Sequence, residues 1–419
     1  MINALLSPWA LFNALEVLRP LNLERLKVLA TRATKGLDCY GDPSYEPFYR
    51  ETMRMVNESN YSPIGKAAAH DFFLRRLMSK LRLNDHLSDP GVSKCLKSPV
   101  VKPLFVVGLP RTGTSLLHRL LALDPNSRAP KCYELFDPVP RYPNDPARDR
   151  SSRVSFVQRA IDKLKMVVPH FTRIHEVGAD LPEECMMSLG CDIPMLFATF
   201  HILIRPPHDA FDWDATQAYK NYVRVLQLLQ HQASEAKDEE LMNKTWTLKC
   251  PVHLGLLKYL SRGFPDATIV WTHREAREAV GSLCSFIRAT QDMYEGEFIK
   301  LDKLGGDVLN FAKEWIKRAD EFFSSKESKG HPTANVHYDD LVKDPVGTVR
   351  KLYKDLGRSF TDEYEQRLLT YVAENKKQRE ALKKSGQSKL HSYNIEDFDI
   401  KQEEVDQALQ WYVKKYSKA

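Results

Sequence analysis

The sequence lacks several features that mark specialised classes of protein. Its seven cysteines form no Cys-x-x-Cys pair and leave one thiol over in any disulfide scheme, which favours a reducing compartment. Only 18 glycines and 24 prolines are spread over the 419 residues, so collagen-like, low-complexity and wholly disordered chains are excluded. No dense basic tract is present, and 61 Lys and Arg against 55 Asp and Glu give a net charge of +6. We therefore expect no nucleic-acid partner, and a small anionic ligand explains the charge as well.

The sequence also has no hydrophobic run long enough to cross a membrane. Its most apolar N-terminal stretch, from Ala4 to Leu15, is shorter than the ~20 residues needed, contains Pro8 and runs into Glu16. We expect a cytoplasmic protein without a signal peptide or transmembrane segment. A first helix of this kind packs on its own domain or, alternatively, lies on a membrane surface or a partner.

Apolar periodicity divides the chain into a helical part and an α/β part. Residues 1–98 show helical spacing throughout, and from residue 99 short buried-strand patterns alternate with helical ones. This alternation predicts a P-loop-like central parallel β-sheet flanked by helices. The expected strands are Leu104–Gly108, Thr245–Lys249, Ala267–His273 and Ala334–Tyr338.

More than a hundred residues separate the first two expected strands. Proline-rich and aspartate-rich stretches bound this segment, and two helical patterns lie inside it. We predict a helical cap inserted at about 138–240, within a domain that spans 99–419 and on which the helical segment 1–98 packs. Oligomeric state does not follow from the sequence.

The strongest chemical motif is GLPRTGTS, which lies between the first expected strand and a helix. It has the Gly-x4-Gly spacing of a phosphate loop, but Thr114 stands where nucleotide triphosphatases keep a lysine. Backbone N–H groups and the helix N-terminus favour an anion there, and Arg111 supplies a cation from inside the loop. The candidate ligands are Gly108, Pro110, Arg111, Thr112, Gly113, Thr114 and Ser115.

A second basic motif, THREAREAVGSL, follows the third expected strand. Arg274 lies at the strand end and Ser282 eight residues later. As an isolated pair, such residues are more often surface residues than ligands. Open α/β sheets bind ligands at the carboxyl ends of their strands, however, and both motifs are expected at that edge.

These two motifs resemble those of the sulfotransferases that use 3'-phosphoadenosine 5'-phosphosulfate (PAPS). GLPRTGTS is similar to their 5'-phosphosulfate loop and THREAREAVGS to their 3'-phosphate motif. Further stretches, among them ADLPEE, LKCPVHL and YDDLVKDP, extend the resemblance to a soluble, mostly bacterial-type branch. Arg111 stands where many members have Lys, and the Arg-Lys-Gly segment that grips the 3'-phosphate in cytosolic animal enzymes has no clear match. Its nearest candidates are Lys389, His391 and Tyr393.

The resemblance implies in-line transfer of a sulfuryl group from PAPS to a hydroxyl of a small, lipophilic acceptor, with release of 3'-phosphoadenosine 5'-phosphate (PAP). Sulfuryl carries one negative charge fewer than phosphoryl, and we expect no metal. Two alternatives remain open: a nucleotide kinase that uses ATP and Mg²⁺, and a noncatalytic anion-binding module. A hydrophobic acceptor pocket from the apolar run 195–204 competes with an ordinary core role for those residues.

Two residues are candidates for the base that takes the acceptor proton. Glu134 lies where the resemblance to Golgi sulfotransferases places a catalytic glutamate, and His253 follows Lys249 much as a histidine does in cytosolic enzymes, with two extra residues between them. Either role is worth roughly 10²- to 10⁴-fold in rate. Alternatively, Glu134 forms a salt bridge and His253 bonds the backbone. A second group, His175, Glu183 and Glu184, lines the acceptor side; alternatively, Asp180 caps a helix with Glu183 three residues on.

Overall fold

The protein is built on a five-stranded parallel sheet. The structure, a computed structural model, describes residues 19–59, 61–167, 176–194, 214–291, 304–384 and 394–416. The strands are β1 (Leu104–Val107), β2 (Ser127–Arg128), β3 (Thr245–Lys249), β4 (Thr268–His273) and β5 (Thr333–His337), in the spatial order β2-β3-β1-β4-β5. All pairs are parallel, so the carboxyl ends of the strands share one edge.

The central strands are apolar because helices cover both faces of the sheet. All four residues of β1 and all six of β4 are buried. One face packs Trp246, Trp271 and Trp315 into the largest apolar cluster, and the other packs Leu104 and Val270 against helices around Tyr353. Fully burying one such aliphatic side chain stabilises the fold by about 1.5–3 kcal/mol.

Helices surround this sheet and form the N-terminal part of the chain. They are α1 (Leu23–Ala33), α2 (Glu46–Glu58), α3 (Pro63–Ser88), α4 (Pro90–Ser93), α5 (Thr114–Leu121), α6 (Cys132–Phe136), α7 (Pro146–Val167), α8 (Met186–Leu189), α9 (Thr216–Glu235), α10 (Leu257–Gly263), α11 (Ala276–Gln291), α12 (Leu304–Ser324), α13 (Tyr338–Lys343), α14 (Pro345–Asp355), α15 (Asp362–Lys384) and α16 (Gln402–Tyr416). Side-chain caps begin several of them: Ser62 accepts from Gly65 N at 3.1 Å, and Asp344 from Gly347 N at 2.9 Å.

The N-terminal helices have their own apolar cluster and brace one segment of the sheet domain. Tyr49, Phe73 and Leu77 lie in that cluster. Three polar contacts then tie α2 and α3 to residues 187–192: Lys80 pairs with Asp192, Arg76 donates to Met187 O, and Tyr49 Oη donates to Cys191 O at 3.0 Å. These contacts hold the segment around α8 from one side.

The structure confirms the predicted α/β fold with its parallel sheet. The four expected strands agree with β1, β3, β4 and β5 to within one residue at each end, whereas β2 has two residues and was not predicted. The predicted boundaries at residue 98 and at 138–240 stay predictions. Within the described part of the chain, no helix combines the length and apolarity that crossing a membrane requires.

Candidate active site

The loop between β1 and α5 has a backbone that glycine makes feasible. Gly108 and Gly113 have φ of +155° and +89°. A Cβ on Gly108 would lie 2.2 Å from Thr272 Oγ1, and one on Gly113 would lie 2.9 Å from Tyr338 Cδ2. Arg111 adopts φ of +72° without being glycine, a conformation that costs about 1–2 kcal/mol. The loop therefore holds a cation in a strained and specific position.

The loop delivers the N-terminus of α5 to the carboxyl edge of the sheet. The first intrahelical bond runs from Leu117 N to Gly113 O at 3.0 Å, which leaves the amides of Thr114, Ser115 and Leu116 without an intrahelical acceptor. Gly113 supplies no side-chain cap. These amides and the positive end of the helix dipole form an anion site beside the exposed side chain of Ser115.

The two basic motifs of the sequence meet at Arg111. Its Nε donates to Ser282 Oγ at 3.0 Å, and its carbonyl oxygen accepts from Arg274 Nη1 at 3.0 Å. Arg274 also pairs with Glu278 at 2.9 Å and lies 4.3 Å from the ring centroid of Tyr338. The residues that the sequence assigned to two separate anion sites are thus in direct contact.

Lys249, the last residue of β3, brings a second cation to the loop. Its Nζ donates to Ser115 Oγ at 3.2 Å and pairs with the carboxylate of Glu184. The side chains of Lys249 and Glu184 are 3% and 12% exposed. Cys250 Sγ donates to the other oxygen of Glu184 at 3.7 Å. The carboxylate of Glu184, the ammonium of Lys249 and the hydroxyl of Ser115 therefore form a chain of contacts that ends at the anion loop.

Sequence reasoning missed this pair. The sequence named Lys249 only as a neighbour of His253, and it named Glu184 only as a residue of the acceptor side. One signal was available, because Lys249 ends a buried strand predicted to run parallel to the strand before the loop. Glu183, next in the chain, is buried, donates its amide to Pro130 O at 3.0 Å and accepts from Glu184 N at 2.8 Å.

Glu134 is engaged in a separate buried ion pair. One of its oxygens accepts from Arg128 Nη2 at 2.6 Å and the other from Lys131 N at 2.8 Å. Arg128 lies 4.4 Å from the ring centroid of Trp246 and donates to Leu229 O at 3.1 Å. Among the described contacts none joins Glu134 to the loop. The pair with Arg128 is the salt bridge stated above as the alternative to a catalytic role.

His253 lies in the apolar core. It is fully buried, its Nδ1 is 2.7 Å from Tyr219 Oη, and its ring packs edge-on against Phe105 at 5.2 Å. Burial lowers the pKa of His253 to about 3, so the imidazole is neutral. No described contact links it to the loop or to Lys249.

The remaining predicted ligands divide into placed and undescribed ones. Pro110 and Thr114 are buried within the loop and the first turn of α5, and the Thr112 hydroxyl is bonded to Leu109 O and Thr272 Oγ1. Lys389, His391, Tyr393, His175 and the run 195–204 lie outside the described residues. Over the described ranges, no three His, Cys, Asp or Glu side chains are grouped as metal ligands would be.

Comparison with known proteins relates this site to one family. Residues 103–362 match the family model described as "Sulfotransferase family". Omega-hydroxy-beta-dihydromenaquinone-9 sulfotransferase Stf3 of Mycobacterium bovis is 26% identical over 277 residues, which are 65% of this chain and 67% of that protein. Its Mycobacterium tuberculosis counterpart gives the same figures.

Two solved structures share the whole architecture. Sulfotransferase STF1 from Mycobacterium tuberculosis superposes with a TM-score of 0.72 at 25% identity, covering 93% of this chain and 98% of its own. Sulfotransferase STF9 from Mycobacterium avium gives 0.77 at 24% identity, covering 95% and 97%. Both likenesses extend over the N-terminal helices as well as the sheet.

Proposed function

This chain belongs to the sulfotransferase family and is an enzyme of sulfuryl transfer, and from that premise we propose that it moves the sulfuryl group of PAPS to a hydroxyl of a small lipophilic acceptor. The observation that supports this most is the convergence of Arg111, the α5 N-terminus and Lys249 at the carboxyl edge of the sheet. Ligands of open α/β sheets bind at that edge.

In the proposed complex, one end of the donor binds at each of the two anion sites. The 5'-phosphosulfate lies against the amides of residues 114–116, which have no acceptor within α5. Arg274 and Ser282 receive the 3'-phosphate, with Arg274 exchanging its half-exposed partner Glu278 for the stronger anion. The contact of both residues with Arg111 keeps the two phosphate sites next to each other.

Transfer resembles phosphoryl transfer, in which the protein positions reactants in line and stabilises spreading charge. The acceptor oxygen bonds to sulfur while the bond from sulfur to the bridging oxygen breaks, and that oxygen leaves with the electron pair as part of PAP. Arg111 and Lys249 supply the positive charge where this negative charge grows. Removing one such donor typically costs about 3–4 kcal/mol in the transition state.

Glu184 is the base that the geometry supports. The acceptor loses its hydroxyl proton as it attacks. Glu184 is a carboxylate held by Lys249, and Lys249 links it to Ser115 of the loop. Glu134 and His253 have their polar contacts elsewhere. We therefore assign proton acceptance to Glu184 in place of the two candidates that the sequence favoured.

The acceptor class is supported by a relative. Stf3 is named for a hydroxylated dihydromenaquinone, and 65% of this chain aligns with it. We infer a hydroxyl carried on a lipophilic molecule for this chain too, without assigning that quinone. The seven cysteines, all free, agree with action in the cytoplasm.

The first test is calorimetric titration with PAP in the absence of metal. The wild type is compared with the double variant Arg111→Ala/Arg274→Ala and with Arg50→Ala/Arg54→Ala, which removes two half-exposed arginines of α2 and so matches the loss of charge. We expect the first variant to lose at least about a hundredfold in affinity and the control to bind as the wild type does.

Three outcomes would contradict the proposal. A folded wild type that does not bind PAP has no such cosubstrate site. Binding of ATP that requires Mg²⁺ would instead favour the nucleotide kinase. Equal losses in both double variants would indicate attraction by net charge alone and would remove Arg111 and Arg274 from the site.

A further inference from the structure

Two threonine hydroxyls meet beneath the anion loop. Thr112 Oγ1 of the loop lies 2.7 Å from Thr272 Oγ1 of β4. Thr112 Oγ1 also lies 2.7 Å from Leu109 O, and Thr272 Oγ1 lies 3.3 Å from Val107 O. Both side chains are buried, with 2% and 1% of their surface exposed.

The proton positions in this group follow from its acceptors. Two hydroxyl oxygens 2.7 Å apart need one proton between them, so the other proton of the pair goes to a carbonyl oxygen. Leu109 O at 2.7 Å is a closer acceptor than Val107 O at 3.3 Å, so Thr112 donates to Leu109 O and Thr272 donates to Thr112 Oγ1. The result is a chain of two hydrogen bonds from Thr272 through Thr112 to Leu109 O.

This chain closes the turn that carries Arg111. Thr112 N also donates to Leu109 O, at 3.4 Å, so residues 109–112 form a β-turn with Pro110 second and Arg111 third. Proline second and a positive φ third are typical of a type II turn, where glycine is the usual third residue. Arg111 takes that place with a Cβ, so the turn needs support from outside.

Thr272 is built into the position from which it gives this support. Its hydroxyl would be 2.2 Å from a Cβ on Gly108, so the missing side chain of Gly108 is what lets β4 approach the loop. Both donors of Thr112 are used on Leu109 O, which leaves Thr112 no proton for a bound anion. Thr112, predicted as a ligand, acts in this arrangement within the protein.

We propose that Thr272 is a positioning residue for sulfuryl transfer, which holds the 109–112 turn closed through Thr112 and thereby keeps Arg111 in place for the donor. The inference rests on the proposed function for the role of Arg111. It adds a residue from a neighbouring strand, 160 positions further along the chain, to the parts that shape the loop.

The test removes the hydroxyl from either side and keeps the shape. Thr272→Val removes the bond between Thr272 and Thr112, and Thr112→Val removes that bond together with the one to Leu109 O. The double variant combines both changes, and Thr272→Ser retains both bonds. Thr268→Val is the matched control, since Thr268 is buried on the same face of β4 at the opposite end of the strand. Two readouts are used: hydrogen exchange of the loop peptide without nucleotide, and PAP affinity by calorimetry.

We expect faster exchange of loop amides and about five- to tenfold weaker PAP binding in both valine variants. The effect of Thr112→Val should lie at the upper end of this range, because it also removes the bond to Leu109 O. The double variant should match Thr112→Val, because Thr272 then has no hydroxyl partner in the loop. Thr272→Ser and Thr268→Val should stay within about twofold of the wild type in both readouts. A general loss of folding would change Thr268→Val as well and would not be restored by serine.

Unchanged exchange in Thr272→Val overturns the proposal, as does faster exchange with wild-type PAP affinity. Should Thr272→Val not fold, Thr272→Ala decides by the same criteria, because it removes the same hydroxyl from β4. A wild type that fails to bind PAP contradicts the proposed function instead. The exchange readout, which needs no nucleotide, then decides alone whether Thr272 holds the turn.

Discussion

Two buried glutamate ion pairs lie at opposite ends of strand β3. At its amino end Arg128, which pairs in register with Trp246, binds Glu134, and at its carboxyl end Lys249 binds Glu184. The first pair has its further contacts with Trp246, Leu229 O and Lys131 N, while Arg128 Nε is buried without a hydrogen-bond partner among the described residues. The second continues to Ser115 and the anion loop. Glutamate ion pairs thus lie at both ends of one strand, and of the two only the pair at the carboxyl end has a described contact with the anion loop.

This contrast shows why residue type is a poor guide to catalysis in such a fold. Buried ion pairs are costly to form, and additional hydrogen bonds to their oxygens and protons offset part of that cost. In an open parallel sheet only the carboxyl edge faces the crevice where ligands bind. A glutamate's distance from that edge therefore tells more about its role than its sequence surroundings do.

We expect the largest effect from Glu184→Gln. An unchanged kcat would contradict the difference drawn between the two ion pairs. Loss of the base should lower kcat for sulfuryl transfer by roughly 10²- to 10⁴-fold. PAP affinity should change little, because the amide keeps a contact to Lys249. Steady-state kinetics with an acceptor found by screening, together with PAP titration, would check this. A variant with normal kcat would remove Glu184 from the mechanism.

Glu134→Gln should act on stability where Glu184→Gln acts on rate. It leaves the Arg128 guanidinium buried without its counter-charge, and breaking such a pair costs about 3–5 kcal/mol in the free energy of unfolding. Urea denaturation would measure the loss, and kcat per folded molecule should stay within a few-fold. A large fall in kcat with normal stability would restore Glu134 as the base.

Lys249→Met tests the cation at the carboxyl end of β3. Loss of a charged donor at the loop should lower kcat by about 10²- to 10³-fold, and Lys249→Arg should recover part of it. Lys244→Met is the control, since Lys244 lies just before β3 and donates to Pro125 O. Equal kcat losses in both methionine variants would show that position along β3 does not matter.

Lowering the pH should decrease the free energy of unfolding through a histidine bonded to β3. This effect should be smaller than those of the substitutions above. His118 Nε2 bonds Thr247 O in the middle of β3 at 3.2 Å. Burial, and secondly Lys249, lower the pKa of His118 to about 3. The unfolded chain therefore binds the extra proton between about pH 6.5 and pH 3, and stability falls as pH falls through that window.

Between pH 7 and pH 5.5 this residue should contribute a loss of about 1 kcal/mol. His253 contributes in the same direction, since its pKa is also about 3, and His273 does so with a pKa of about 4. Urea denaturation at both pH values, with His118→Gln for comparison, would measure the contribution. The same pH dependence in wild type and variant would rule out His118 as a source.

Local pattern was enough to predict the sheet and the loop. Buried strands of four to six residues stand out by their apolar runs, and GLPRTGTS is contiguous, so both are visible without tertiary information. Strand β2 has two residues and leaves no pattern. The Arg111 contacts with Arg274 and Ser282 follow once both motifs are placed at one sheet edge.

The partners that complete the site were beyond local pattern. Glu184 and Lys249 are 65 positions apart, and Thr112 and Thr272 are 160 apart. Their meeting depends on how β3, β4 and the segment before α8 pack, which no spacing rule encodes. Glu134 was attractive because it stands close to the loop in sequence, yet α6 points it at Arg128.

The contacts of the N-terminal helices with residues 187–192 bear on how far this enzyme can be shortened. The motif residues all come after residue 99, so the sheet domain alone looks complete. Yet α2 and α3 hold Met187, Cys191 and Asp192, a few positions beyond Glu184. A chain that starts at residue 99 should keep the anion loop. It should lose the helices that support the segment just after Glu184, the proposed base. On the proposed mechanism, helices α2 and α3 therefore support the reaction without supplying a reacting group.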